Sequence, residues 1–237
     1  MIGRECDADA GENTIMKYSN RKYSNIKQMN LAFAILVTLI YECFCFLVVK
    51  LAWDYGFYVP LSCVNGDTVI TRLLFDCVLS VPFVISLLVV MKSKYFRLKP
   101  HWEFENGHIV ALLSALYVLL CLYKRRMTVN GLYLFGFYLF FVGFFEEFMF
   151  RGFLFSTLSY RFGWKFSAFI AGTFWCIPHM FIPLIKSNAY MNIGSWVSEF
   201  SYSVGGLAVS GIFFSWILLK GKNIFIPVLI HALLDSL

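Results

Sequence analysis

The stretch FEEFMFRG, Phe145 to Gly152, sets two carboxylates and a guanidinium inside a run that is otherwise almost wholly apolar. Ionised groups inside a membrane segment are costly, and they are kept where they pair or serve a site. Read as part of one helix over Gly131 to Leu158, Glu147 and Arg151 stand four apart on one face, with the acid N-terminal to the base, the favourable order for an ion pair. Glu146 lies about 100° round the helix from its neighbour, so it is the carboxylate without an internal counter-ion. Spacing alone leaves two readings. One is a general base looking into the protein; the other is a structural ion pair with a spare Glu held by some other donor.

The surroundings of this stretch decide the fold class. Of the 237 residues 59% are hydrophobic, 19% aromatic and only 14% charged, and mean hydropathy is +0.71. These values exclude an ordinary soluble domain and indicate an all-α, polytopic integral membrane protein. Residues 1–30 carry Arg4, Lys17, Arg21, Lys22 and Lys27 among polar side chains, too few apolar groups to pack a core, and read as a mobile cytoplasmic tail rather than a signal peptide. Apolar runs follow at about 31–49, 68–91, 108–123, 131–155, 164–185, 197–219 and 223–237, about seven candidate transmembrane helices. The third and seventh are shorter than the ~20 residues a span needs, which leaves each to be tilted, re-entrant or extended by its polar flanks. No repeat, low-complexity tract or long polar break divides the chain, so 31–237 is expected to be a single membrane domain.

Net charge is +6, and in a membrane protein its placement gives orientation rather than a nucleic-acid partner. With the N-terminus inside, thirteen Lys and Arg fall on the cytoplasmic side and five outside, the latter including the Lys124-Arg125-Arg126 cluster. The seven cysteines are odd in number, scattered and without a CxxC pair, and read as small hydrophobes. Glu42 in the first run, and Arg72 with Asp76 one turn apart in the second, read as structural. Gly205, Gly206, Ala208, Ser210 and Gly211 in the sixth give a surface on which another backbone can approach.

Two of the four histidines, His179 and His231, lie inside apolar runs. His179 follows Pro178, which removes a backbone donor and loosens the helix around the imidazole. His231 shares a face with Asp235, four residues on. A rise of about 1.5 Å per residue puts Glu146 ~14 Å, His231 ~12 Å, Asp235 ~18 Å and His179 ~22 Å from the cytoplasmic ends of their helices. Two carboxylates and two imidazoles that can share one layer form a candidate reaction centre.

The string Glu146-Glu147-x-x-x-Arg151, then Trp175-x-x-x-His179, then His231-x-x-x-Asp235, in that order on separate helices, resembles the CPBP family of intramembrane endopeptidases. That family, also called Abi or CAAX-protease-like, includes the Ras-converting enzymes that remove the last three residues of prenylated proteins, and bacterial members linked to bacteriocin maturation and self-immunity. The resemblance covers about 131–237, which it marks as the catalytic core. It implies that Glu146, helped by His179, activates a water that attacks a peptide carbonyl, while His231 and the residue at 235 stabilise the oxyanion. The expected partners are membrane lipids and a peptide or lipidated protein substrate. There are two departures: Trp175 stands where the family usually has Phe, which looks harmless, and Asp235 where it most often has Asn. An ionised Asp235 would repel an oxyanion, so it is either protonated or orients His231.

The same four side chains, Glu146, His179, His231 and Asp235, are also the ligand types of a catalytic zinc site. No HExxH string is present, and the ligands would come from three helices, so the cofactor-free mechanism is favoured. Two rival functions use the same residues. A proton-coupled transporter would be expected to show an inverted repeat, which this sequence lacks. A catalytically silent immunity or scaffold protein would not need to retain every ionisable position.

Overall fold

In lipid, backbone N–H and C=O groups have no water to turn to, so each long apolar run must close its hydrogen bonds within a helix. The computed structural model describes residues 31–92, 105–124, 127–159 and 161–237. The tail expected at 1–30, and Arg125 and Arg126 of the basic cluster, lie outside them. Among the described residues there are no strands and seven long helices: α1 (Leu31–Asp54), α2 (Val69–Lys92), α3 (Gly107–Tyr123), α4 (Val129–Ser159), α5 (Trp164–Lys186), α6 (Ile193–Gly221) and α7 (Phe225–Ser236). Of these, α1, α4, α5 and α6 are long and apolar enough to cross a membrane, whereas α3 and α7 are shorter. The chain is an all-α membrane protein.

Helix α4 departs from the regular α-helix read from the sequence. Thr128 caps its start, its Oγ accepting from the Gly131 N–H at 3.1 Å. The helix then widens into π-helical stretches at Phe137–Phe144 and Glu147–Phe155, where the Phe145 N–H reaches Phe140 O and the Ser156 N–H reaches Arg151 O. Phe145 and Glu146 sit between the two stretches. π-Helical turns are rare and concentrate at functional sites, because the wider turn re-aims the side chains on either side of it.

Two close approaches bring the neighbouring helices against this segment. A Cβ on Gly143 would lie 2.8 Å from Val228 O, so the glycine lets α7 cross α4 one turn before the acidic pair. A Cβ on Gly211 would lie 2.5 Å from the Gly172 Cα, so α5 and α6 meet backbone to backbone. The small-residue surface expected on α6 is thus used only in part. Ala208 and Gly211 are buried, whereas Gly205 and Gly206 are exposed with nothing near their Cβ positions. Gly211→Ala gains about 1 kcal/mol of helix propensity. The added methyl nevertheless has to push two backbones apart, and overpacking of this kind costs about 1–3 kcal/mol. A net fall in melting temperature in detergent is expected, and an unchanged or higher value would contradict the close crossing.

Around these contacts Met149, Phe150, Phe153, Leu154, Phe155 and Leu158 of α4 pack with Ala168, Ala171 and Trp175 of α5 and Phe214 and Leu218 of α6 in one buried cluster. A second buried centre is polar. Arg72 Nε donates to Asp76 Oδ1 at 3.1 Å and to the Tyr133 hydroxyl at 3.2 Å, its Nη1 donates to Val59 O at 2.7 Å, and the Tyr133 hydroxyl donates to Asp76 Oδ2. This cluster ties α2 to the start of α4 with every charge answered, as a structural role requires.

Candidate active site

The second π stretch of α4 delivers Glu147 and Arg151 to the interior, both with no exposed side-chain surface. Arg151 Nη1 lies 3.1 Å from Glu147 Oε1, an ion pair by distance. The guanidinium nitrogens make no hydrogen bond of good angle. Instead the guanidinium carbon lies 4.4 Å from the Trp175 ring centre and 5.2 Å from that of Phe214, so aromatic faces share its charge with the carboxylate.

The same Glu147 oxygen is 2.9 Å from His231 Nδ1 on α7. A simple Glu147–Arg151 pair was the reading from spacing; the structure makes it a buried triad of carboxylate, guanidinium and imidazole. With Nδ1 turned to a carboxylate, Nε2 is the nitrogen left for other work. Asp235 Oδ2 stands 3.6 Å from Nε2, beyond a hydrogen bond, and its side chain is 38% exposed. Phe214 stacks on the imidazole at 4.8 Å and fixes its plane.

Glu146 is half-buried, and among the described residues no basic side chain pairs with it. Its Oε2 accepts a hydrogen bond from the Trp175 indole N–H on α5. One turn on, His179 places Nδ1 3.0 Å from Trp175 O and keeps its ring exposed, at 5.2 Å from the indole. The His231 ring is 5.5 Å from the same indole. Trp175 is therefore the hub on which Glu146, Arg151, His179 and His231 converge.

Sequence reasoning passed over this role when it took Trp in place of the usual Phe as harmless. The available signal was chemical, since of the two rings only Trp carries an N–H. Trp175→Phe is expected to keep the packing but leave the Glu146 carboxylate without its donor. Hydrogen bonds to charged groups are worth about 1.5–3 kcal/mol, so a fall in kcat of roughly tenfold to a hundredfold is expected, with KM little changed. An unchanged kcat would show that the indole N–H has no bearing on Glu146.

The donor set does not fit zinc in this arrangement. Among the described residues no three His, Cys, Asp or Glu side chains converge as a metal ion requires. Glu146 faces an indole, His179 a backbone carbonyl and His231 the carboxylate of Glu147.

Carboxylates and imidazoles from three helices of a membrane protein are thus gathered around Trp175. Residues 128–237 match the family model for type II CAAX prenyl endopeptidases, Rce1-like. This segment is accordingly similar to the Rce1-like endopeptidases of the CPBP family, and the protein is an integral membrane protein. No curated protein and no solved structure matches the chain.

Proposed function

We propose that this protein is an intramembrane endopeptidase in which Glu146 activates water against a peptide bond of a membrane-held peptide or prenylated protein. The observation that carries the reading is the unequal treatment of two adjacent carboxylates. Glu147 is consumed by Arg151 and His231, whereas Glu146 receives a single neutral N–H and remains half-open. A carboxylate that is oriented but not neutralised can take a proton from water.

The roles of the other groups follow from their partners. His179, fixed through Nδ1 on Trp175 O, offers Nε2 to orient the same water. As the water oxygen bonds to the carbonyl carbon, negative charge develops on the carbonyl oxygen. In this reading His231 meets it through Nε2, donating a hydrogen bond from a ring flanked by Glu147 and Asp235. Asp235 then acts by supporting the imidazolium, not by donating itself. Asp235→Asn should therefore be a poor substitute, although Asn is usual in the family, with kcat reduced across the pH range. An Asn variant as active as the parent would assign the residue a donor role instead.

The reading is tested with protein reconstituted in lipid vesicles and a farnesylated peptide ending in a CaaX sequence. Release of the last three residues by the parent and not by Glu146→Gln supports it. No release by either would point to a silent scaffold or to a substrate without a prenyl group, which intact membranes then distinguish.

A further inference from the structure

Helix α3 lies outside the 128–237 match and carries none of the site residues, yet it packs along α7 and is tied to it at both ends. At its start, Asn106 Nδ2 donates to Gly221 O at 3.1 Å, Asn223 Nδ2 donates to Glu105 O at 2.9 Å, and Lys222 Nζ stands 3.2 Å from Glu105 Oε2. Glu105 and Lys222 are half-exposed, so their ion pair adds little, and the strap rests on the two amides. Asn223 also caps α7, its Oδ1 accepting from the Phe225 N–H at 3.0 Å, which fixes the strap to the first turn of that helix. At the other end, Lys124 Nζ donates to Ser236 O at 2.9 Å and to Leu237 O. The last carbonyls of a helix have no partner within it and form the negative end of its dipole, so an ammonium is well suited to hold them.

The middle of α3 is tied to the opposite wall of the site. The Tyr117 hydroxyl donates to Phe135 O at 2.7 Å and its ring stacks on Phe135 at 4.6 Å, two residues before the first π-helical stretch of α4. That stretch is where Gly143 lets α7 cross, close to Val228 O. Helices α3, α4 and α7 therefore close a triangle, and none of these contacts is made by a site residue. His231 sits on α7 between the two ties, eight residues after Asn223 and five before Ser236. A helix slides and turns as one body, with about 1.5 Å of rise and about 100° of turn per residue. A shift of α7 by a single residue would carry His231 Nδ1 away from Glu147 Oε1, now 2.9 Å off.

We propose that α3 is a splint that sets the register of α7, and that Lys124 is a positioning residue for His231. By holding the last carbonyls of α7, the ammonium keeps the imidazole on Glu147 and leaves Nε2 turned to the reacting carbonyl. It touches neither substrate nor reacting atoms and acts through the helix alone.

The placement of His231 is independent of the proposed protease function, whereas the kinetic consequence rests on it, so each has its own measurement. In protein carrying isotope-labelled histidine, the ring-nitrogen NMR signals of His231, assigned by substitution, should move in Lys124→Met and return in Lys124→Arg, which still donates to carbonyls. Those of His179, held on Trp175 O of α5, should stay in place. His231 signals unchanged in Lys124→Met overturn the proposal, whether or not a cleavable peptide is in hand. With the farnesylated CaaX peptide, Lys124→Met should lower kcat roughly tenfold to a hundredfold with KM within about twofold, as a misplacement of about 1 Å would. Lys124→Arg should recover most of that loss. A lower melting temperature with kcat unchanged would make Lys124 a merely structural tie and refute the positioning role. Should Lys124→Met fail to fold, Asn106→Asp carries the same tests at the other end. Asp tolerates the left-handed backbone at φ 59° and suits the start of a helix, but it has no N–H for Gly221 O. It should move the His231 signals and lower kcat in the same way, and unmoved signals overturn the splint. No cleavage by the parent would count against the protease reading and leave the His231 spectra to decide the register.

Discussion

Arg151→Ala is expected to be the most destabilising single change in the protein, at about 3–5 kcal/mol, because it strands a wholly buried carboxylate. The guanidinium sits on the rings of Trp175 and Phe214, so its removal also opens a gap against α5 and α6. His231, on the same Glu147 oxygen, would be left as the sole partner of that charge among the described residues. The measurement is thermal unfolding in detergent together with the yield of folded protein. A variant that melts like its parent would show that the triad is not what holds α4 against its neighbours.

Glu146→Gln is expected to leave the fold intact and to cost the reaction at least about 10²–10⁴ in rate, the usual contribution of a positioned base. The amide is nearly the same size as the carboxylate, and its oxygen can still accept from Trp175. It cannot take the proton from water. Parallel unfolding curves and cleavage assays of parent and variant separate the two effects. Retained turnover would move the base elsewhere, with Glu147 the first place to look despite its two partners.

The helices were legible because the length of an apolar run is itself the physical constraint. Runs read at 68–91, 108–123 and 164–185 became Val69–Lys92, Gly107–Tyr123 and Trp164–Lys186. The end of α6 extends to Ile193 because the Asn192 side chain accepts from the Gly194 and Ser195 N–H groups, a capping signal that hydropathy does not register. The proximity of Glu147 and Arg151 was legible too, since it is a property of one helix. Contacts between helices were not. That His231 meets Glu147 rather than Glu146, and that α5 supplies the donor to Glu146, depend on how α4 is wound and where Gly143 lets α7 cross. The π-helical widening has no counterpart in a stretch as uniformly aromatic and aliphatic as Phe137 to Phe144. The buried stripe of α1 was legible in the same way, since Thr38, Glu42 and Cys45 fall at helical spacing on one face of an otherwise apolar helix.

The central claim is that Glu146 cuts a peptide bond of a membrane-held substrate. It is tested most directly by comparing the protein termini found in membranes of cells that carry the parent chain with those of cells carrying Glu146→Gln at equal abundance. New termini, clustered in one class of membrane-anchored peptide or protein and present only with the parent, are the predicted result. Identical sets of termini from the two cells would contradict it.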